Sequence, residues 1–387
     1  MQTKTSLLPI DHAEAVLIGR VFDPADGGPS VVAVSGGQLR DVTALAPTVS
    51  QLLEADDAAA VVARAPLATR WNLQDLLSGT VANDRSKARF LAPCDLQVIK
   101  ACGVTFAGSM LERVIEEKAA GDMQLASKIR AEIGETIGSA VSSIRPGTEE
   151  ALRVRHFLIE KGLWSQYLEV GIGPDAEVFS KAPVLSAVGS GEDIGILKAS
   201  HWNNPEPELV LAVNSRGQIR GATLGNDVNL RDIEGRSALL LGKAKDNNAS
   251  CAIGPFIRLF DRSFTLDDAR ALDISLNVQG PDGFELNGQS SIRQISRDLA
   301  DLVAQTCGAH HQYPDGFVLF TGTLFAPTED RDAPGQGFTH KIGDVVRIAS
   351  PQLGMLQNRV VHSEDAPAWT FGLTQLMRNL AGRGLLS

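Results

Sequence analysis

Residues 201–232 read HWNNPEPELVLAVNSRGQIRGATLGNDVNLRD, and this stretch limits the folds open to the chain more than any other. Two apolar runs of similar length flank Asn214, Ser215, Arg216 and Gly217, the pattern of a β-hairpin. Residues i and i+2 of a strand point to one face, so Glu206 and Glu208 aim two carboxylates at one point where the first run begins. The hairpin returns Asp227, at the end of the second run, beside them. Three carboxylates so placed repel and raise one another's pKa unless a cation neutralises them. An oxygen-only donor set suits Mg²⁺, Mn²⁺ or Ca²⁺ better than zinc. A solvated strand edge is the competing reading, and spacing leaves both open.

Composition decides what kind of chain surrounds this hairpin. With 387 residues, 43% hydrophobic and 21% charged, the chain can bury one large core or two unequal ones and is not disordered. The formal charge of -10, with no run of Lys and Arg to offset it, argues against nucleic acid and anionic membranes as partners. A small anionic substrate stays open, because a dication and a few cationic side chains reverse the potential inside a cleft. Cys94, Cys102, Cys251 and Cys307 lie too far apart for zinc spacings and read as reduced thiols. The start, MQTKTSLLPIDHAEAVLIGRVF, has no leader pattern, no stretch approaches membrane-spanning length, and the cytoplasm is the expected compartment.

Residues 15–45 alternate short apolar runs with turns such as PADGGPS, and APTVSQLLEAD then reads as helix. These make a small N-terminal α+β domain, residues 1–88, ahead of a catalytic domain at 89–387. Met110–Ile133 has helical spacing with Gly121 as a break, and EEALRVRHFLIEKGLW is a second helix. AEVFSKAP, IGILKAS, PELVLAV, QIRGATLG, FVLFTGTLF and DVVRIAS read as strands. The fold class expected is α+β, mainly β with inserted helices. The adjacent His310 and His311 would face opposite ways and do not make a metal pair.

E-x-E followed after a hairpin by G-N-D-V-x-x-R-D resembles the metal motif of the fumarylacetoacetate hydrolase family. KDNNASCAIGP from Lys245 is similar to that family's lysine segment, and PDAEVFSKAPVLSAVG to its F-x-K-P-P segment. DGFVLFTGT, KIGDVV and LGMLQN match the later elements in order, so the resemblance runs over residues 93–387. It implies a mixed β-sandwich roll with the site at one open end, a metal on Glu206, Glu208 and Asp227, and a homodimer or homotetramer.

One departure narrows the activity implied. Family hydrolases and decarboxylases carry G-x-N-Y-x-x-H-x-x-E on a lid; here Ser109 stands where the histidine would be, after Gly103, and Glu112 is kept. Serine cannot activate water near neutral pH. The resemblance therefore implies the branch that dehydrates 2-keto-3-deoxy-pentonates, such as 2-keto-3-deoxy-D-xylonate, to 2,5-dioxopentanoate. It makes Glu112 and Lys245 the candidate acid and base. Ser109, Lys181 and Thr323 become substrate-binding or metal-supporting groups, and Asp246 and Arg231 outer supports, Arg231 through a pair with Asp232. An acylpyruvate hydrolase or oxaloacetate decarboxylase is the alternative within the family, and an inactive binding protein the alternative outside it.

Overall fold

The computed structural model describes residues 6–131, 144–323, 327, 329–333 and 337–386. Two mixed sheets form the centre. The larger has ten strands; its main path runs Gln38–Asp41, Gly28–Ser35, Leu17–Asp23, Cys251–Leu259, Ile219–Asp227, Pro207–Val213, Phe317–Phe320, Val98–Gly103, Glu177–Ala182. Arg89–Leu91 pairs with Leu17–Asp23 off that path. The smaller sheet orders Glu285–Ser291, Asp273–Gln279, Val345–Ser350, Gly354–His362 and Asp193–Ile196. Their facing sides share one core, in which Leu209, Leu211 and Leu224 of the large sheet meet Ile274, Leu276, Ile348 and Leu356 of the small one. The α+β class, with helices outside a strand-built core, follows from that layering.

The expected hairpin forms. Pro207–Val213 pairs with Ile219–Asp227 in antiparallel register, with Glu208 opposite Gly225 and Pro207 opposite Asn226. Asn214 sets the turn, its carboxamide oxygen accepting from the N–H groups of Arg216 and Gln218. All seven residues of Pro207–Val213 are buried, because other strands flank it in the sheet and the second sheet covers one face.

The strands ahead of residue 88 pair with the rest of the chain. Leu17 pairs with Arg258 and Ile18 with Ile257, so the N-terminal strands extend the large sheet. Ile18 also shares a core cluster with Ala212, Ile257 and Leu259. Short alternating runs gave no sign of this, since whether a strand joins its own hairpin or a distant sheet depends on long-range pairing.

The expected helix at Met110–Ile133 begins instead at Ala107, as Ala107–Lys118, and its expected end lies outside the described residues. Gly121 breaks it with φ 78°, and residues 123–131 are helical again. A Cβ at Gly121 would lie 2.5 Å from the Asp232 carbonyl oxygen, so backbone conformation and space both demand glycine. Gly121→Val is expected to cost about 1–3 kcal/mol in urea unfolding; a neutral result would mean that this turn readily shifts.

Candidate metal centre

The hairpin register places Glu206, Glu208 and Asp227 at one end of the large sheet, and the Asp227 N–H donates to the Glu206 carbonyl at 3.0 Å, continuing the ladder. One carboxylate oxygen from each lies within 4.8 Å of the others, and all three residues are buried. Lys245, at the end of helix Leu241–Lys245, donates to Glu206 Oε2 at 2.5 Å and to Asp227 Oδ2 at 3.1 Å. Lys181 Nζ lies 2.7 Å from Asp227 Oδ1 and donates to the Val228 and Lys245 carbonyls. Burial disfavours the charge on Lys245, but Asp227, Glu206 and Glu234 outweigh it, and its pKa is raised. Glu208 differs: its carboxylate accepts from the Gly322 N–H at 2.6 Å, and among the described residues no side-chain cation pairs with it. Burial, then Asp227 and Glu206, hold its carboxyl well above the usual range.

The donor chemistry fits a hard divalent cation: three converging carboxylates, plus a buried Asn204 Oδ1 with no hydrogen-bond partner facing the same cavity. In this state the cavity keeps about 30 Å³ of open space, room for a water and not for a five-carbon acid. Arg113 helps to fill it, reaching in from helix Ala107–Lys118 to Glu206 Oε1 at 2.6 Å, Glu116 at 2.6 Å and Glu234 at 2.9 Å.

Ser109, Glu112 and Thr323 line the cavity. Ser109 also works locally: its hydroxyl accepts from the Phe106 N–H and donates to the Phe106 carbonyl, starting the helix. Thr323 donates to the Pro207 carbonyl at 3.1 Å. Glu112 is held by Arg130 at 2.6 Å and Arg231 at 2.9 Å. The expected Arg231–Asp232 pair is not made. Arg231 bonds Glu116 and Glu112 and lies over the Trp202 ring, whereas Asp232 accepts from the Ser200 hydroxyl and the His201 N–H. Sequence neighbours in a helix diverge, so adjacency was a poor guide. Asp246 is not among the cavity-lining residues; its carboxyl is raised by burial against the pull of Lys181.

Four charged lining residues escaped the sequence reading: Arg113, Glu116, Glu177 and Glu234. Glu177 was legible, since a period of two from Lys181 along Glu177–Ala182 selects Phe179 and Glu177, which both line the cavity. Gly103 gives it room, as a Cβ there would fall on the Glu177 carboxylate. Arg113 and Glu116 looked like ordinary polar positions on an amphipathic helix, and Glu234 like a surface residue after Arg231.

Glu234 makes a testable case. Burial pushes its carboxyl up to about 7 against the pull of Arg113 and Lys245, with Glu206 and Glu116 adding to the rise. Folded protein therefore holds a proton between about 4.5 and 7 that the unfolded chain has lost, and stability falls as pH rises through that window. In metal-stripped protein, Glu234→Gln is expected to flatten this fall and to be at least as stable as wild type at alkaline pH. Urea titrations across pH check it; an unchanged slope would assign the proton elsewhere.

Residues 171–361 match the family model described as fumarylacetoacetate (FAA) hydrolase C-terminal. Over these residues, just under half of its length, the chain is similar to the fumarylacetoacetate hydrolase family. It is 31% identical over 180 residues to a 2-dehydro-3-deoxy-D-arabinonate dehydratase of Saccharolobus solfataricus, covering 46% of this chain and 57% of the relative. It is 31% identical over 201 residues to a probable 2-keto-3-deoxyxylonate dehydratase of Haloferax volcanii, covering 52% and 65%. The matches thus span less than two thirds of either curated relative. Among solved structures, an apo 2-keto-3-deoxy-D-arabinonate dehydratase superposes with TM-score 0.64 at 20% identity over 89% of this chain and 99% of its own. The form complexed with magnesium and 2,5-dioxopentanoate gives 0.63 at 21%, over 89% and 99%. These structural likenesses show the fold. Among the described residues, no helix is long and apolar enough to cross a membrane.

Proposed function

We propose that this chain is a Mg²⁺-dependent hydro-lyase that converts 2-keto-3-deoxy-D-xylonate to 2,5-dioxopentanoate and water, working in the cytoplasm as a homodimer or homotetramer. The observation that carries this is the meeting of Glu206, Glu208 and Asp227 with Lys245 under a lid helix that presents Ser109 rather than histidine. The dehydratase names of the two partial relatives support the substrate class.

A divalent cation on the three carboxylates would polarise the keto and carboxylate oxygens of a 2-keto acid and so acidify carbon 3. The rest falls to the chain. Lys245, held as an ammonium by Glu206 and Asp227, balances the negative charge that develops beside it, and Lys181 holds the backbone behind Lys245. Glu112, on the lid helix and drawn from Arg130 by the substrate, is assigned the proton taken from carbon 3, which it passes to the departing carbon 4 hydroxyl. Loss of that water joins carbons 3 and 4 by a double bond; a proton then leaves carbon 5 and one returns to carbon 3, and the carbon 4–carbon 5 enol so formed passes its hydroxyl proton to carbon 4 to give the carbon 5 aldehyde. Ser109 and Thr323 line the binding wall, and Arg113 must swing off Glu206 to admit the acid, its charge then facing the substrate. Among the described residues no histidine lines the cavity, which argues against the hydrolase and decarboxylase alternative.

The test uses metal-stripped protein, 2-keto-3-deoxy-D-xylonate, and added Mg²⁺ or Mn²⁺, with product followed through an aldehyde dehydrogenase. Metal-dependent product that is lost in Glu206→Ala is expected. Cleavage of an acylpyruvate or oxaloacetate, with no dehydration of any pentonate stereoisomer, would overturn the proposal.

A further inference from the structure

Away from the acidic centre, a second cavity of about 270 Å³ opens between the N-terminal strands, residues 185–188 and the C-terminal segment 367–371. Arg89 lines it, only 7% exposed, and its Nε and Nη1 are buried with no hydrogen-bond partner. The other cations of this cavity are already matched. Arg85 pairs with Glu192 at 3.3 Å, and Arg20 donates to the Ala92 and Cys94 carbonyls with Asp95 at 4.0 Å. Arg89 rests on the Phe22 ring at 5.1 Å, which supports one face of the guanidinium and supplies no acceptor. Glu192, shared with Arg85, offsets part of its charge, yet a buried guanidinium with no acceptor for its N–H groups is costly.

The walls show what would satisfy it. Phe22, Phe371 and Trp369 line the cavity, Phe22 and Phe371 in edge contact with ring centroids 6.4 Å apart. The Trp369 N–H is committed to the Phe371 carbonyl. Three aromatic side chains beside a guanidinium with no hydrogen-bond acceptor suit an organic monoanion. A phosphate dianion would need more donors and would face Glu192. We infer that this cavity is a second small-molecule site for a carboxylate, its charge on Arg89 and its compact apolar body between Phe22, Trp369 and Phe371.

The experiment is calorimetry on the metal-stripped full chain with benzoate as probe, inorganic phosphate as comparison, and Trp369 fluorescence as a second signal. Without metal, the acidic centre repels carboxylates and does not compete. One saturable benzoate site is expected, weakened at least tenfold in Arg89→Met and weakened also in Arg85→Ala, whose side chain is 46% exposed and tolerates truncation. Trp369→Phe is expected to lose the fluorescence response and keep the heat signal. Arg89→Met discards an unmatched buried charge, so its urea midpoint without benzoate should equal or exceed that of wild type. Absent benzoate binding, binding indifferent to both arginine variants, or a preference for phosphate would overturn the inference. So would an Arg89→Met protein that falls from oligomer to monomer, since the guanidinium would then answer a carboxylate of a second copy.

Discussion

Glu208→Gln is expected to weaken divalent-cation binding at least a hundredfold while leaving the metal-free fold as stable as wild type, or more so. The opposite signs follow from how charge is distributed at the centre. Glu206 is matched by Arg113 and Lys245, and Asp227 by Lys181 and Lys245. Glu208 has the Gly322 N–H and no paired cation among the described residues, while burial and its two acidic neighbours disfavour its charge. A glutamine keeps the acceptor for Gly322 and removes that penalty, yet takes away the one ligand charge the protein leaves uncompensated. Mn²⁺ or Mg²⁺ titration calorimetry, paired with urea unfolding in chelator, reads both. Unchanged cation affinity would place the cation elsewhere.

Arg231→Met is expected to destabilise the fold by about 3–5 kcal/mol, the typical cost of leaving buried carboxylates without their partner. Arg231 is 1% exposed, donates to Glu116 at 2.6 Å, to Glu112 at 2.9 Å and to the Pro327 carbonyl at 3.1 Å, and covers the Trp202 ring. It fastens helix Ala107–Lys118 to the segment that follows Asp227, so proteolysis of residues 107–131 should quicken in the variant. Adding Glu116→Gln removes one stranded charge and should restore part of the loss. A cost below about 1 kcal/mol would mean that water replaces the guanidinium, as it does at exposed pairs.

Much of this centre was readable along the chain because its parts obey local rules. A period of two puts Glu206 and Glu208 on one face, and a turn of known length returns Asp227 to them. Burial was also foreseeable in kind, since PELVLAV is apolar apart from Glu208. The pairing of Arg231 with Glu116, 115 residues apart, was not. Neither residue differs in sequence pattern from a solvated helix position, and the wrong partner, Asp232, was the nearer one. The same limit hid the union of Leu17–Asp23 with Cys251–Leu259, whose register is set by which sheet edge remains free.

Sequence alone specified the α+β class, the acidic triad, the hairpin that assembles it and the break at Gly121, because each depends on period, turn chemistry or backbone conformation within a few residues. Tertiary structure alone decided which cations match which carboxylates, that Glu208 is left without one, that the N-terminal strands complete the large sheet, and that Arg89 lies buried without a partner. Charges and strand edges are matched by proximity in space, and in a chain of 387 residues that proximity is fixed only when the whole core packs.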